Sequence, residues 1–146
     1  MSKAFIVILL LSGAGLLGAA TGSKPSEAQS AKPGSILGKW QWTIEKTQCT
    51  ETYEYRADGS LSVTSGEEVA EVTYDISPQP DSNGFFLLNG TPGTSNGEQD
   101  CTDRPAGVQQ PAFSVYVVFH PTEPLMLICE SPNVERCLGP LRRVKD

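Results

Sequence analysis

Residues 51–76 read ETYEYRADGSLSVTSGEEVAEVTYDI. Tyr53 and Tyr55 alternate with polar neighbours until Asp58-Gly59 interrupts them. Leu61 and Val63 alternate with serines until Ser65-Gly66 interrupts again. Beyond it, Ala70, Val72, Tyr74 and Ile76 alternate with Val69, Glu71, Thr73 and Asp75. A period of two sends successive side chains to opposite faces of a strand, whereas a helix repeats every ~3.6 residues. Asp-Gly and Ser-Gly supply the backbone freedom that a tight hairpin turn needs. The stretch therefore predicts three antiparallel strands in a row, at 51–57, 60–64 and 67–76.

The same pattern extends both ways. Upstream, 39–44 places Trp40, Trp42 and Ile44 on one face. Downstream, 85–88, 113–119, 124–129 and 136–143 read as short strands, with a long loop at 89–111. No segment carries a helical period. Eight short strands with hairpin connections predict an all-β fold, an antiparallel up-and-down β-barrel. Closure removes the exposed strand edges through which β domains aggregate. A two-sheet sandwich is the alternative architecture.

Strand direction then locates the cysteines. With the first strand running upward, Cys49, Cys101, Cys129 and Cys137 all fall at the upper rim. Four cysteines allow three pairings, and sequence alone does not choose among them. The favoured one is Cys129–Cys137, closing a hairpin, with Cys49–Cys101 pinning the long loop. Chain entropy values these staples at about 2.6 and about 4 kcal/mol. Zinc is the poorer reading, because no C-x-x-C pair is present.

The first residues fit this oxidised setting. Lys3 precedes an apolar run that ends in Gly18, Ala19 and Ala20, the pattern of a cleaved signal peptide over residues 1–20. Residues 21–35 are mostly Ser, Gly, Pro, Ala and Lys without an apolar period, and read as a disordered tether. Residues 36–146 form one domain's worth of chain. The expected location is periplasmic or secreted, with no membrane span after cleavage. The whole chain has a formal charge of −6, and losing Lys3 makes it more acidic. That balance excludes nucleic acid as the natural partner.

Gly38-Lys39-Trp40, opening the first strand after a flexible leader, resembles the G-x-W motif of lipocalins and their short bacterial relatives. The resemblance implies that Trp40 closes the base of the barrel, with Arg142 or Arg143 packed over it as a cation on an indole face. The second lipocalin motif, a Thr-Asp pair, is not matched at His120-Pro121-Thr122-Glu123. The chain is also similar in size, export and starting pattern to periplasmic barrel inhibitors of secreted metalloproteases, in which G-x-W is soon followed by a cysteine, here Cys49.

Two surfaces stand out as candidates. The upper loops carry Glu45, Glu51, Glu67, Glu68, Glu98 and Asp100, among other acids, against few bases, which suits a basic partner. The strands at 85–88, 113–119 and 124–129 are apolar on both faces. If Phe85, Leu87, Phe113, Val115, Val117, Leu125 and Leu127 point inward, then Phe86, Leu88, Tyr116, Val118, Met126 and Ile128 form an outer patch. The expected function is an exported, non-enzymatic binding module. It would engage a protein partner, as an inhibitor or immunity factor does, through Glu67, Glu68, Tyr116, Val118, Met126 and Ile128.

The alternative is a carrier of a small hydrophobic ligand held among Trp42, Tyr53, Tyr55 and Tyr74 inside the barrel. So many aromatics in so small a barrel favour a filled core instead. No cofactor or metal is expected. Asn96, Glu98, Asp100 and Asp103 lack EF-hand spacing, and His120 is the lone histidine.

Overall fold

In the computed structural model, which describes residues 34–102 and 104–145, the period-two segments become eight strands. They are β1 (Gly38–Ile44), β2 (Cys49–Tyr55), β3 (Ser60–Ser65), β4 (Glu68–Ile76), β5 (Phe86–Ser95), β6 (Phe113–Phe119), β7 (Leu125–Cys129) and β8 (Cys137–Arg143). Each pairs antiparallel with the next, and β8 returns to β1, so the sheet is a closed barrel. The signal segment at 1–20 and the tether up to residue 33 lie outside the described residues.

The turns form where glycine permits them. Gly59 (φ 83°) lets the chain fold back from Arg56 to Ser60, and the Asp58 carboxylate accepts from both the amide and the hydroxyl of Ser60. Gly66 (φ 59°) opens the two-residue turn that pairs Ser65 with Glu68. Inside the barrel, Trp40, Tyr55, Leu61, Val72, Tyr74, Leu88, Val117, Met126, Ile128 and Leu141 form one buried cluster. Trp42, Tyr53, Val63, Phe86, Val115 and Phe119 pack against it. Tyr55 and Tyr74 meet edge to face at 5.1 Å, and Phe119 bridges Trp40 and Phe86 at 6.0 and 5.7 Å. The interior is a packed core.

Both disulfides follow the favoured pairing, Cys49–Cys101 and Cys129–Cys137. All four cysteines sit at one rim, because β1, β3, β5 and β7 end where β2, β4, β6 and β8 begin. The staples place the domain among proteins matured in an oxidising compartment. Among the described residues, no helix is long and apolar enough to cross a membrane.

Two expectations about the strands need correction. First, β5 runs to Ser95 and does not stop at residue 88. Asn89, Gly90 and Pro92 carry turn chemistry, yet they pair with Asp75, Tyr74 and Val72 of β4, and beyond a register irregularity Ser95 pairs with Ala70. Tyr74 donates its amide toward β3, so the alternate residues Thr73 and Asp75 face β5, and their partners Thr91 and Asn89 face back. The nitrogen of Pro92 then faces the other side, where β6 has no partner beyond Phe113. A proline is tolerated there because no ladder bond is lost. Gly90 is covered by the Phe113 ring, leaving no room for a Cβ.

Second, β5 and β7 have the opposite phase from that expected. Phe85 is buried, but it lies before β5, in a loop where its amide and carbonyl both bond to Asp81. Register against β6 decides the rest. Val117 faces the core, and Phe86 and Ile128 lie directly across from it. Phe86, Leu88, Met126 and Ile128 therefore point inward, while Leu87, Leu125 and Leu127 point outward. Met126 (1% exposed) and Ile128 (8%) are core residues and not partner-facing ones.

The choice left open at the base is settled: of the two candidate arginines, Arg143 packs over Trp40. Arg143 pairs with Trp40 across the β1–β8 seam and shares its inner face. Its guanidinium lies 4.2 Å from the indole centroid and donates to the carbonyls of Leu37 and Ser35. Burial holds the Arg143 pKa below its ordinary value. The Trp40 indole N–H donates to Ile36 O at 2.7 Å. Residues 35–37 are thereby strapped across the base. Arg142, one residue on, points to the outer face.

We expect Arg143→Met to lower stability in urea unfolding by about 2 kcal/mol, through loss of the cation–π contact and of two charge-assisted hydrogen bonds. Arg142→Met should stay within about 0.5 kcal/mol of the parent. Equal effects of the two substitutions would contradict this account of closure.

Candidate functional site

The upper rim combines acid with an unexpected buried carboxylate. Glu51 is in phase with Tyr53 and Tyr55, so it points into the barrel mouth and is only 7% exposed. The expectation that it joins the solvated acidic rim is therefore corrected. The Tyr53 hydroxyl donates to Glu51 Oε2 at 2.6 Å, and the Ser65 hydroxyl donates to Oε1 at 2.8 Å. Ser65 Oγ in turn accepts from the Cys101 amide at 3.0 Å. Burial, and secondarily the neighbouring Glu51 carboxylate, push the Tyr53 phenol well above its ordinary pKa. Burial does the same to Tyr55, with a smaller contribution from Tyr74.

This network ties the β5–β6 loop to the mouth beside the Cys49–Cys101 staple. The loop is also held to the β3–β4 turn. Glu67 donates its amide to Gln99 O at 3.0 Å. Asn96 accepts from the Val69 amide and donates to Glu67 O. Asp100 is the loop's own anchor. Its Oδ1 accepts from the amide and hydroxyl of Thr102, and its Oδ2 meets Arg104 Nη2 at 2.6 Å. Burial of this carboxyl, whose side chain is 8% exposed, works to raise its pKa. The two Thr102 bonds and the Arg104 guanidinium outweigh that and hold it below the ordinary carboxylate value.

Glu67 is exposed at the rim, and Glu68 is half-buried with Oε1 accepting from Ser95 Oγ. Glu130 is paired with Arg136 at 3.1 Å. Glu45, Glu67, Glu98 and Glu135 make no ion pair among the described residues. They leave the mouth acidic after internal pairing.

On the outer wall, Leu87 stands across from Tyr116, and Val118 across from Leu127. Leu87 is 36% exposed, and Tyr116, Val118 and Leu127 are half-buried. The apolar outer row thus exists, but Leu87 and Leu127 fill the places expected for Met126 and Ile128. Of the expected partner-facing residues, Tyr116 and Val118 share this wall, while Glu67 and Glu68 stand at the rim.

The residues of the ligand-carrying alternative lie in or against the core, and Trp42 also lines a groove at the β1–β8 seam. Tyr55 and Tyr74 belong to the core, and Trp42 and Tyr53 pack against it. The Tyr74 hydroxyl donates to Arg56 O at 2.8 Å. Two concavities border this core. A pocket of about 200 Å³ under the base is lined by Gly34, Trp40, His120, Pro124 and Arg143, and an open groove of about 730 Å³ follows the β1–β8 seam.

His120 Nδ1 accepts from the amides of Thr122 and Glu123. The oxygens of Asn96 and Asp100 are taken up by internal bonds, and among the described residues no cluster of His, Cys, Asp or Glu suits a metal ion. Asp103 lies outside the described residues.

Sequence reasoning missed Glu51 as an inward group, although its two-residue spacing from Tyr53 and Tyr55 carried the signal. It missed the seam groove altogether, because the seam joins the two ends of the chain. Comparison with known proteins finds no matching family model, no similar curated protein and no similar solved structure.

The Asp100 anchor sets a pH dependence. Its folded-state pKa lies below the unfolded one, so its stabilisation is present above the ordinary carboxylate range and fades as pH falls through the lower folded value. Asp100→Asn should therefore destabilise the domain in urea at about pH 7 and cost almost nothing near pH 2. A penalty that persists unchanged in acid would contradict the assignment.

Proposed function

We propose that this chain is an exported, non-enzymatic binding module of lipocalin-like build, periplasmic or secreted, that captures a protein partner through its acidic mouth and the outer wall of β5, β6 and β7. The observation that carries the reading is the apolar row Leu87, Tyr116, Val118 and Leu127 on the outside of a barrel whose interior is already filled. A solvated strand face ordinarily alternates to polar residues. Apolar and aromatic side chains retained on an outer wall suit a contact with another protein. The unpaired rim acids favour approach by a basic surface.

A lipocalin-like build draws support from Gly38-Lys39-Trp40 and from Arg143 over the Trp40 ring. The same packing weighs against the carrier alternative, since Trp42, Tyr53, Tyr55 and Tyr74 are engaged with other core residues. The spent Nδ1 of His120 weighs against a histidine-based enzyme.

The test is affinity capture from the native envelope or secreted fraction, with captured protein and lipid both identified. The variant Glu67→Lys, Glu68→Lys, Tyr116→Ala should lose most of the captured protein, and added salt should weaken what remains. Undiminished capture by the variant would count against the reading. In native mass spectrometry the gently purified chain should show its bare mass. A tightly held lipid would point to the carrier.

A further inference from the structure

Asparagine is followed by glycine three times in the sequence, at Asn83-Gly84, Asn89-Gly90 and Asn96-Gly97. This dipeptide carries a reaction of its own. The glycine nitrogen attacks the asparagine Cγ, and the side-chain nitrogen leaves as ammonia. Glycine favours the step, because no Cβ obstructs the approach and its backbone adapts freely to the ring that forms. In an unfolded chain the three sites are chemically alike. In the fold they differ in whether the side-chain amide can leave its partners and turn onto the next nitrogen.

Two of the three are held. Asn89 lies inside the sheet, paired with Asp75 of β4 and Ser114 of β6. Its Nδ2 donates to Asp75 Oδ2 at 3.2 Å, and its Oδ1 accepts from Ser114 Oγ at 2.7 Å. The Phe113 ring covers Gly90. Asn96 clasps the β5–β6 loop to the β3–β4 turn. Its Oδ1 accepts from the amides of Val69 and Glu98, and its Nδ2 donates to Glu67 O. The Gly97 amide is itself engaged by Ser95 Oγ at 3.0 Å. Ring closure at either site must first break these side-chain bonds.

Asn83 is the exception. It is exposed in the β4–β5 loop, and its side chain has no hydrogen-bond partner among the described residues. Gly84 takes φ 88°, and no heavy atom lies within 4 Å of the place where a Cβ would stand. The attacking nitrogen is held by the bond that closes the turn, from the Gly84 amide to Asp81 O at 3.0 Å. One bond in an exposed turn opens far more readily than a paired strand.

We infer that Asn83 is a site of spontaneous covalent modification, with water as the co-reactant, while the fold protects Asn89 and Asn96. The bond from Gly84 N to Asn83 Cγ forms, the Cγ–Nδ2 bond breaks, and the Gly84 amide proton departs with Nδ2 as ammonia. Water then opens the five-membered imide. Its hydroxyl goes to one carbonyl carbon, and its proton returns to the nitrogen. Opening at Cγ leaves aspartate. Opening at the main-chain carbonyl leaves isoaspartate, whose backbone is one carbon longer. Either product puts a carboxylate two residues from Asp81. Asp81 Oδ1 accepts from the amides of Asn83 and Phe85 at 2.8 and 2.9 Å, and these bonds seat the buried Phe85 ahead of β5. The longer isoaspartate backbone parts those two amides and loosens Phe85. The reaction needs no partner and does not depend on the function proposed for the β5–β7 wall.

The purified chain is incubated at mildly alkaline pH, folded and in guanidinium chloride, then digested and mapped by mass spectrometry. Isoaspartate is read by enzymatic methyl transfer. In the folded chain, conversion of amide to acid at Asn83 should run about tenfold faster than at Asn89 or Asn96, or about 1.4 kcal/mol in barrier. In denaturant the three rates should converge. Asn83→Gln, whose longer side chain would have to close a larger ring, should lose the reaction at that position and keep the parent's circular dichroism and urea midpoint. The isoaspartate fraction, separated by ion exchange, should unfold at lower urea than the parent. Equal rates at the three sites of the folded chain, or faster conversion at Asn89 or Asn96, overturn the proposal. So does a folded chain that keeps Asn83 intact over the time in which the unfolded chain converts it.

Discussion

A sheet rolled into a cylinder is only as secure as the place where its first and last strands meet. Here that junction is short. Two register pairs join β1 to β8, and the Trp40–Arg143 stack reinforces them from below. The guanidinium suits this position because it does several things at once. Its face lies on the indole, its edge donates to two carbonyls of the crossing segment, and its stem fills the inner face beside Leu141. Residues that begin the described chain are thus bound to residues that end it. Every other strand pair is local by comparison, joined by a turn or loop to its neighbour in sequence.

The opposite end is held by different means. There the interior is no longer purely apolar, since Glu51 and Ser65 are buried between the strand ends. A buried carboxylate is costly unless its oxygens are satisfied, and both Glu51 oxygens accept hydroxyl hydrogen bonds. Through Ser65 the same network reaches the amide of Cys101, one residue of the staple that fastens the long loop. Covalent and polar constraints therefore converge on the mouth, while the base depends on packing and a single cation. The rim acids that remain unpaired project from this rigid collar, a fixed frame for an electrostatic encounter.

Much of this was legible from residue order. The hairpins around Asp58-Gly59 and Ser65-Gly66 declared themselves, because polar residues alternate with apolar ones and mark which side faces water. The rim position of the cysteines followed from strand direction alone. Legibility failed where that contrast is absent. In β5 and β7 both faces are apolar, so a slip of one residue leaves the pattern equally plausible. Phe85 worsened the error, being buried for reasons of loop packing and not as the first inward residue of a strand. The upper half of β5 was misread for the converse reason. Its Gly and Pro residues are turn formers in isolation, and only an open edge beside them makes them acceptable in a strand.

What the sequence determined by itself is the class of structure: period-two runs, glycine turns and paired cysteines leave few options other than a stapled antiparallel barrel, because these are local properties of neighbouring residues. Tertiary structure alone decided which of two adjacent arginines meets Trp40, which face of β5 and β7 is buried, and where the first and last strands join. Each of those depends on register between strands that are distant in sequence. A one-residue change in register moves a side chain from core to solvent, and the β1–β8 ladder forms only where closure brings Trp40 opposite Arg143 and Gln41 opposite Arg142.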